Sequence, residues 1–239
     1  MKTVAIIQAR MGSTRLPGKV LKVLGDKTVL AQVVSRVECF QGVQDIIIAT
    51  TSDAQDDPIM AEANRLGVHC FRGSEQDVLA RYYEAAKGIQ ADNVVRITSD
   101  CPLIDPQTSS EIIQKFTDSV CDYASNTLER TYPRGLDTEV FSFASLEVAH
   151  WEAVSNHDRE HVTPYLYNNR KRFTCHSVVS YEGIEDYRWT LDTPEDWSLI
   201  KRIYDALYDP GSLFNWRDAA ALMQKNPEWN MINQHVQQK

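Results

Sequence analysis

Thr3-Val4-Ala5-Ile6-Ile7-Gln8-Ala9-Arg10-Met11-Gly12-Ser13-Thr14-Arg15-Leu16-Pro17-Gly18-Lys19 opens on an apolar run and ends in a loop of glycines, hydroxyls and cations. Residues 3–8 lack the polar alternation of a half-exposed strand. They predict a strand buried on both faces, which is how parallel sheets are built. The chain then alternates in kind. A helix is expected over 28–39, a strand over 45–50, a helix over 56–66, a short strand over 68–71 and a helix over 75–87. A strand over 93–98 and a helix over 106–116 follow. This alternation predicts an α/β fold with a mixed, mostly parallel sheet between helical layers.

Beyond residue 120 the pattern changes. A loop entering a strand is expected over 132–143, a helix over 159–168, and strands over 173–179 and 187–191. Thr193 reads as a helix N-cap with Pro194 at the first position and Glu195 and Asp196 in the first turn, where the dipole favours acids. A further helix over 216–224 and a polar end complete the chain. Residues 1–239 are read as a single domain, with residues 121–180 as a small inserted lobe. The 239 residues include 33 acidic and 25 basic side chains, for a net charge of −8. Such a balance argues against nucleic acid or an anionic membrane as partner, since both need a broad basic face. Five widely spaced cysteines and no C-x-x-C pair predict free thiols in a reducing cytoplasm. The five tryptophans show no ordered spacing and are expected to serve packing.

The loop after the first strand carries the strongest chemical signal. Arg10, Arg15 and Lys19 can neutralise a polyphosphate while a glycine-rich turn points N–H groups at it. The spacing is not that of a P-loop. Five residues separate Gly12 from Gly18, and Val20 stands where the metal-binding hydroxyl would be. G-x-G-x-x-G is also absent, which removes the dinucleotide-binding fingerprint. Asp100 falls where the 93–98 strand leaves the sheet, and Asp192 falls between a strand end and a helix start. Two such carboxylates can hold one divalent cation, whereas Asp105 before Pro106 reads as a helix cap. Arg134, Asp137 and Glu139, with Arg159 and His161, supply polar groups suited to a polyhydroxylated, acidic acceptor. Arg134 is the candidate for its carboxylate, which a guanidinium binds through two hydrogen bonds. His157 and His161 have zinc-like spacing but no evident third ligand.

IIQARMGSTRLPGKVL, with TSDCPLIDP, YPRGLDTEVF, REHVTPYLY and RWTLDTPEDW, resembles the cytidylyltransferases that activate ulosonic acids. The branch it most resembles is that of the spore coat polysaccharide biosynthesis proteins. The likeness runs from Thr3 to about Tyr208. It implies a nucleotide-diphospho-sugar transferase fold, CTP as donor, Mg²⁺ as cofactor and a homodimer. By position it implies that Ala9 and Arg10 lie by the nucleotide, and that Gly12, Ser13, Arg15 and Lys19 cradle its phosphates. Asp100 and Asp192 match the metal carboxylates, and Arg72, Ser74 and Asp77 fall near the segment that contacts the base. The reaction implied is transfer of CMP to a sugar acid's anomeric hydroxyl, with pyrophosphate leaving. Arg10, Lys19, Asp100 and Asp192 would be its catalytic residues. A sugar-phosphate nucleotidyltransferase, a nucleotide-sugar-dependent glycosyltransferase and a non-catalytic nucleotide-binding protein are the competing readings. Cys101 beside Asp100 departs from the ulosonate enzymes and bears on which acceptor is used.

Overall fold

The computed structural model describes residues 1–237. Strand β1 (Thr3–Gln8) sends Val4 and Ile6 to one face and Ala5 and Ile7 to the other, and all four are fully buried. It pairs in parallel with β4 (Asp45–Thr51) on one side and β6 (Asn93–Thr98) on the other. Beyond β4 lies β5 (His69–Gly73), also parallel. On the other side β8 (Glu139–Ser142) runs antiparallel to β6, followed by β7 (Tyr123–Ser125) and β9 (Cys175–Ser177). The sheet order is β5-β4-β1-β6-β8-β7-β9. Strand order therefore turns at β1 and β6, and their carboxyl ends open the crevice in which such sheets take ligands.

Helices cover both faces. On one side lie α1 (Val29–Val37), α2 (Asp57–Leu66) and α4 (Pro106–Thr117), which press Val33, Ala63 and Ile112 onto the Ala5–Ile7 face. On the other lie α3 (Val78–Gly88) and α5 (Phe143–Glu152), which cover Val4 and Ile6 with Tyr82, Ala86 and Leu146. A third cluster joins α8 (Pro194–Leu207) and α9 (Trp216–Lys225) to Trp189, Leu191 and a short hairpin, β2 (Val23–Leu24) and β3 (Lys27–Thr28). Thr193 caps α8, as the sequence predicts, and Asp196 accepts from the Thr193 N–H to complete a capping box. Asp105 caps α4 by accepting from the N–H of Thr108 at 2.8 Å.

Four local expectations are corrected. Residues 187–191 are extended but form no ladder. They make only an isolated bridge between Arg134 and Arg188, because the Leu191 N–H donates to the carbonyl of Asp100 at 2.7 Å. The helix expected over 159–168 breaks into α6 (Asn156–His161) and α7 (Pro164–Asn168). Val162 takes φ +73° between them, and Pro164 has no N–H to continue the first helix. Residues 121–180 are not set apart from the sheet, since they supply β7, β8 and β9 as well as α5, α6 and α7. Trp189 and Trp216 are buried as packing residues, but Trp151 is exposed.

Gly135 is required where 132–139 crosses 187–191. Its φ is +104°, and a Cβ there would stand 2.6 Å from the carbonyl carbon of Trp189. Gly135→Ala is expected to destabilise the protein by about 2–3 kcal/mol, combining left-handed strain with a backbone clash. Urea unfolding measures it, and a loss below about 0.5 kcal/mol, the level of a neutral surface change, would refute the packing account.

Candidate active site

The loop after β1 is held by its own backbone. Met11 donates to Asp56 Oδ1 at 2.7 Å, and its carbonyl accepts from the N–H groups of Ser13 and Gly18. Ser13 Oγ accepts from Leu16 N at 3.3 Å. Gly18, at φ +66°, starts a 3-10 turn at Lys19–Leu21, which aims Lys19 inward. Lys19 Nζ then lies 3.1 Å from Asp100 Oδ2, 2.9 Å from Asp192 Oδ1 and 2.7 Å from the carbonyl oxygen of Leu191. The two aspartates, far apart in sequence, thus converge on one cation. Burial pulls the Lys19 amine down, but the two carboxylates outweigh it and hold its pKa above the ordinary value. Burial pushes the Asp100 carboxyl up, yet Lys19, with hydrogen bonds from Thr98 and Lys19, holds it below the usual range.

Asp192 is the more heavily bound. Arg15 Nη2 is 3.2 Å and Arg188 Nη2 2.7 Å from its Oδ2. Arg188 also donates through Nε to Asp196 Oδ1 at 2.9 Å, and the fully buried Asp196 accepts from the N–H groups of Asp192 and Thr193. Asn233 Nδ2 completes the support, donating to Asp196 Oδ1 and to the Arg188 carbonyl at 2.8 Å each. The segment read as a polar end therefore braces Asp192 from behind. Cys101 Sγ lies 3.6 Å from Asp100 Oδ1, and burial, with Asp100 and Asp137 nearby, pushes its thiol pKa well up. It stays protonated and donates rather than attacks.

A cavity of about 720 Å³ opens at the carboxyl ends of β1 and β6, a size that encloses a small organic ligand. Ala9, Arg10, Ser13, Arg15, Lys19, Asp100, Asp192, Arg159 and His161 line it, nine of the residues read from the sequence. Arg10 stands 3.5 Å from Glu75 across the cavity wall. Burial holds the His161 imidazole below its ordinary pKa, so it is neutral at pH 7.

The remaining sequence candidates lie elsewhere. Gly12 sits beneath Gln55 and Glu75. Arg72 is committed to the Thr51 and Asp53 carbonyls and to Asp57, which ties β5 to the start of α2. Ser74 and Asp77 form the turn before α3, and Asp77 caps that helix and pairs with Arg159. This turn is why α3 begins at Val78 rather than at 75. Glu139 is buried and accepts from Tyr123, Thr163 and Arg96, an internal charge pair rather than part of the cavity wall. Asp137 is held by both terminal nitrogens of Arg130. Arg134 is half-buried and, among the described residues, makes no side-chain hydrogen bond or ion pair. Gln8, Arg81, Arg188, Asp196 and Asn233 were not foreseen. The four-residue spacing of Arg188, Asp192 and Asp196 is the one signal that pointed to any of them. His157 and His161 lie with ring centroids 4.6 Å apart, and among the described residues no group of three His, Cys, Asp or Glu is placed to hold a metal.

Residues 4–225 match the sequence model of a family described as cytidylyltransferase. The chain is 34% identical to the spore coat polysaccharide biosynthesis protein SpsF of Bacillus subtilis, over 93% of this chain and 94% of that one. It is also similar to the solved structure of a cytidylyltransferase from Leptospira borgpetersenii, at TM-score 0.91 and 33% identity, covering 100% and 99% of the two chains. A structure of CMP:2-keto-3-deoxy-manno-octonic acid synthetase complexed with CTP matches at TM-score 0.66 and 19% identity, over 86% of this chain and 99% of that one. At that identity the likeness is one of fold.

Proposed function

The chain belongs to the cytidylyltransferase family, in the branch of the spore coat polysaccharide biosynthesis protein SpsF, and from that membership we propose that it transfers CMP from CTP to the anomeric hydroxyl of a ulosonic, sialic-acid-like sugar acid. The observation that carries the reading is the convergence of Asp100 and Asp192 on Lys19 in the lining of the cavity. The acceptor oxygen attacks the α-phosphorus as the bond to the β-phosphate oxygen breaks. Pyrophosphate leaves and the hydroxyl proton goes to solvent. Little covalent work falls to the protein, so its part is placement and charge.

Arg10, Arg15 and Lys19 face the charge that builds on the leaving pyrophosphate. Ser13 and the loop backbone orient the phosphates. Asp100 and Asp192 would hold Mg²⁺. What supports their fit is the cation they already share, and a carboxylate and carbonyl oxygen set of the kind this ion takes. Two protein carboxylates suffice when phosphate oxygens and water complete the shell. When bound, the ion supplies positive charge at the α-phosphate and makes the attacking hydroxyl more acidic. Since Lys19 holds the same oxygens, ammonium and metal compete for them.

Arg134 does not line the cavity, and it is assigned to the acceptor carboxylate because it is a half-buried guanidinium with no side-chain hydrogen bond or ion pair among the described residues. Arg134→Ala is expected to raise the acceptor KM by about 10–100-fold with kcat little changed, the effect of losing a charge-assisted hydrogen bond. Steady-state kinetics with varied acceptor checks this, and an unchanged KM removes Arg134 from the site. The product would serve polysaccharide biosynthesis, with a spore coat or other surface glycan as destination. Family likeness extends the proposal to a cytoplasmic homodimer, which light scattering tests. The main experiment presents CTP with a panel of ulosonic acids and records pyrophosphate, with UTP and GTP alongside. No release with any sugar acid would refute the reading.

A further inference from the structure

Gln8 continues the row of Val4 and Ile6 on the face of β1 that α3 covers, and Thr98 is its register partner on β6. Gln8, Thr98, and Val78 and Arg81 of α3 form one wall of the cavity. Arg81 is 3% exposed and makes no ion pair among the described residues. Its Nη1 donates to the Ser74 carbonyl at 3.2 Å. Its Nε is buried with no partner, and Nη2 makes no hydrogen bond among the described residues. Gln8 Oε1 is likewise buried and unpartnered. Buried polar groups are almost always satisfied in folded proteins, so two unsatisfied ones on one cavity wall point to a ligand that supplies the missing partners. The charged groups near Arg81 are Arg10, Asp56 and Glu75, whereas Lys19 faces Asp100 and Asp192. The α3 wall, which Arg10 borders, is therefore distinct from the end where Lys19 meets Asp100 and Asp192.

We propose that Arg81, with Gln8 beside it, reads the base of the nucleotide and selects cytosine over uracil. This rests on the nucleotidyl-transfer reading and deepens it by naming the residues that choose the base. The Nε–H and Nη2–H groups form the side-on edge of the guanidinium, two parallel donors that cannot become acceptors. Cytosine offers O2 and N3 as adjacent acceptors. Uracil carries a proton on N3 and would set donor against donor. The cytosine 4-amino group is left to donate to Gln8 Oε1. A glutamine amide can turn to suit either base, so Gln8 adds affinity while Arg81 sets the choice.

Calorimetric titration tests this with CTP, UTP, 3-deaza-CTP and inorganic tripolyphosphate. In 3-deaza-CTP a C–H group replaces N3. Wild-type protein should bind CTP about 10–100-fold more tightly than UTP or 3-deaza-CTP, the usual worth of a two-pronged base contact. Arg81→Lys, shown to be folded by circular dichroism, should bring CTP and UTP within about threefold of each other, since a lone ammonium lacks the fork. Tripolyphosphate should bind both proteins alike. If wild type binds 3-deaza-CTP as tightly as CTP, the proposal falls whether or not the variant folds. Equal losses for CTP, UTP and tripolyphosphate in folded Arg81→Lys overturn it too, because a merely structural residue would behave that way. If wild type binds no nucleoside triphosphate, nucleotidyl transfer itself is refuted, a result distinct from CTP binding that ignores N3.

Discussion

Asp100→Asn and Asp192→Asn are each expected to lower turnover by about 10³-fold or more, the several kcal/mol that a divalent ion contributes to phosphoryl transfer. CTP binding should largely survive. The loop cations and the α3 wall are untouched, and removing a negative charge beside Lys19, at 192 beside Arg15 and Arg188 as well, favours a polyanion. The asparagine at 192 can still accept from Arg188, so the scaffold of Arg188, Asp196 and Asn233 should hold it in place. The two variants share one outcome for one reason. Each leaves a single carboxylate where two converge, and an amide oxygen is a poorer ligand for a hard cation. Pyrophosphate release measures turnover and calorimetry measures CTP. Near-normal turnover in either variant would show that the paired carboxylates do not carry the chemistry.

Much of this site was legible because its signals are local. The boundaries of β1 and β6 follow from apolar runs bounded by polar residues, and the start of α8 from Thr193, Pro194 and Asp196. Once the strand order turns at β1, the loops carrying Lys19 and Asp100 must meet at the carboxyl edge. What stayed hidden depends on distant partners. Residues 187–191 have the composition of a strand, but the Asp100 carbonyl takes the Leu191 N–H that a ladder would need. Val162 gives no sequence sign that it adopts φ +73°. Arg81 carries no sequence sign of its burial near Arg10 and Glu75, and Arg72 reads as a ligand contact until its carbonyl partners appear. Asp192 was visible through its motif. Its brace was not, because Asn233 comes from the far end of the chain.

Lys19 bears two duties, so Lys19→Met should change two measurements in opposite directions. Turnover should fall by about 10²–10³-fold, the usual loss when a preorganised donor to developing charge is removed. That loss should appear in kcat. A change confined to the KM for CTP would mean that Lys19 binds the ground state and transition state equally. Affinity for a divalent ion without nucleotide should rise, because methionine vacates oxygens that the ammonium holds at 2.9 and 3.1 Å. Mn²⁺ titration followed by electron paramagnetic resonance reads this, and weaker Mn²⁺ binding would refute the competition. The acid limb of stability should change as well. In wild type the Asp100 pKa is held below its unfolded value, so its contribution is present above that value and is lost as pH falls through the depressed one. Without Lys19 the chief cause of the depression is gone. The variant should then show a flatter loss of stability below about pH 4, the ordinary aspartate range, while wild type declines steeply there.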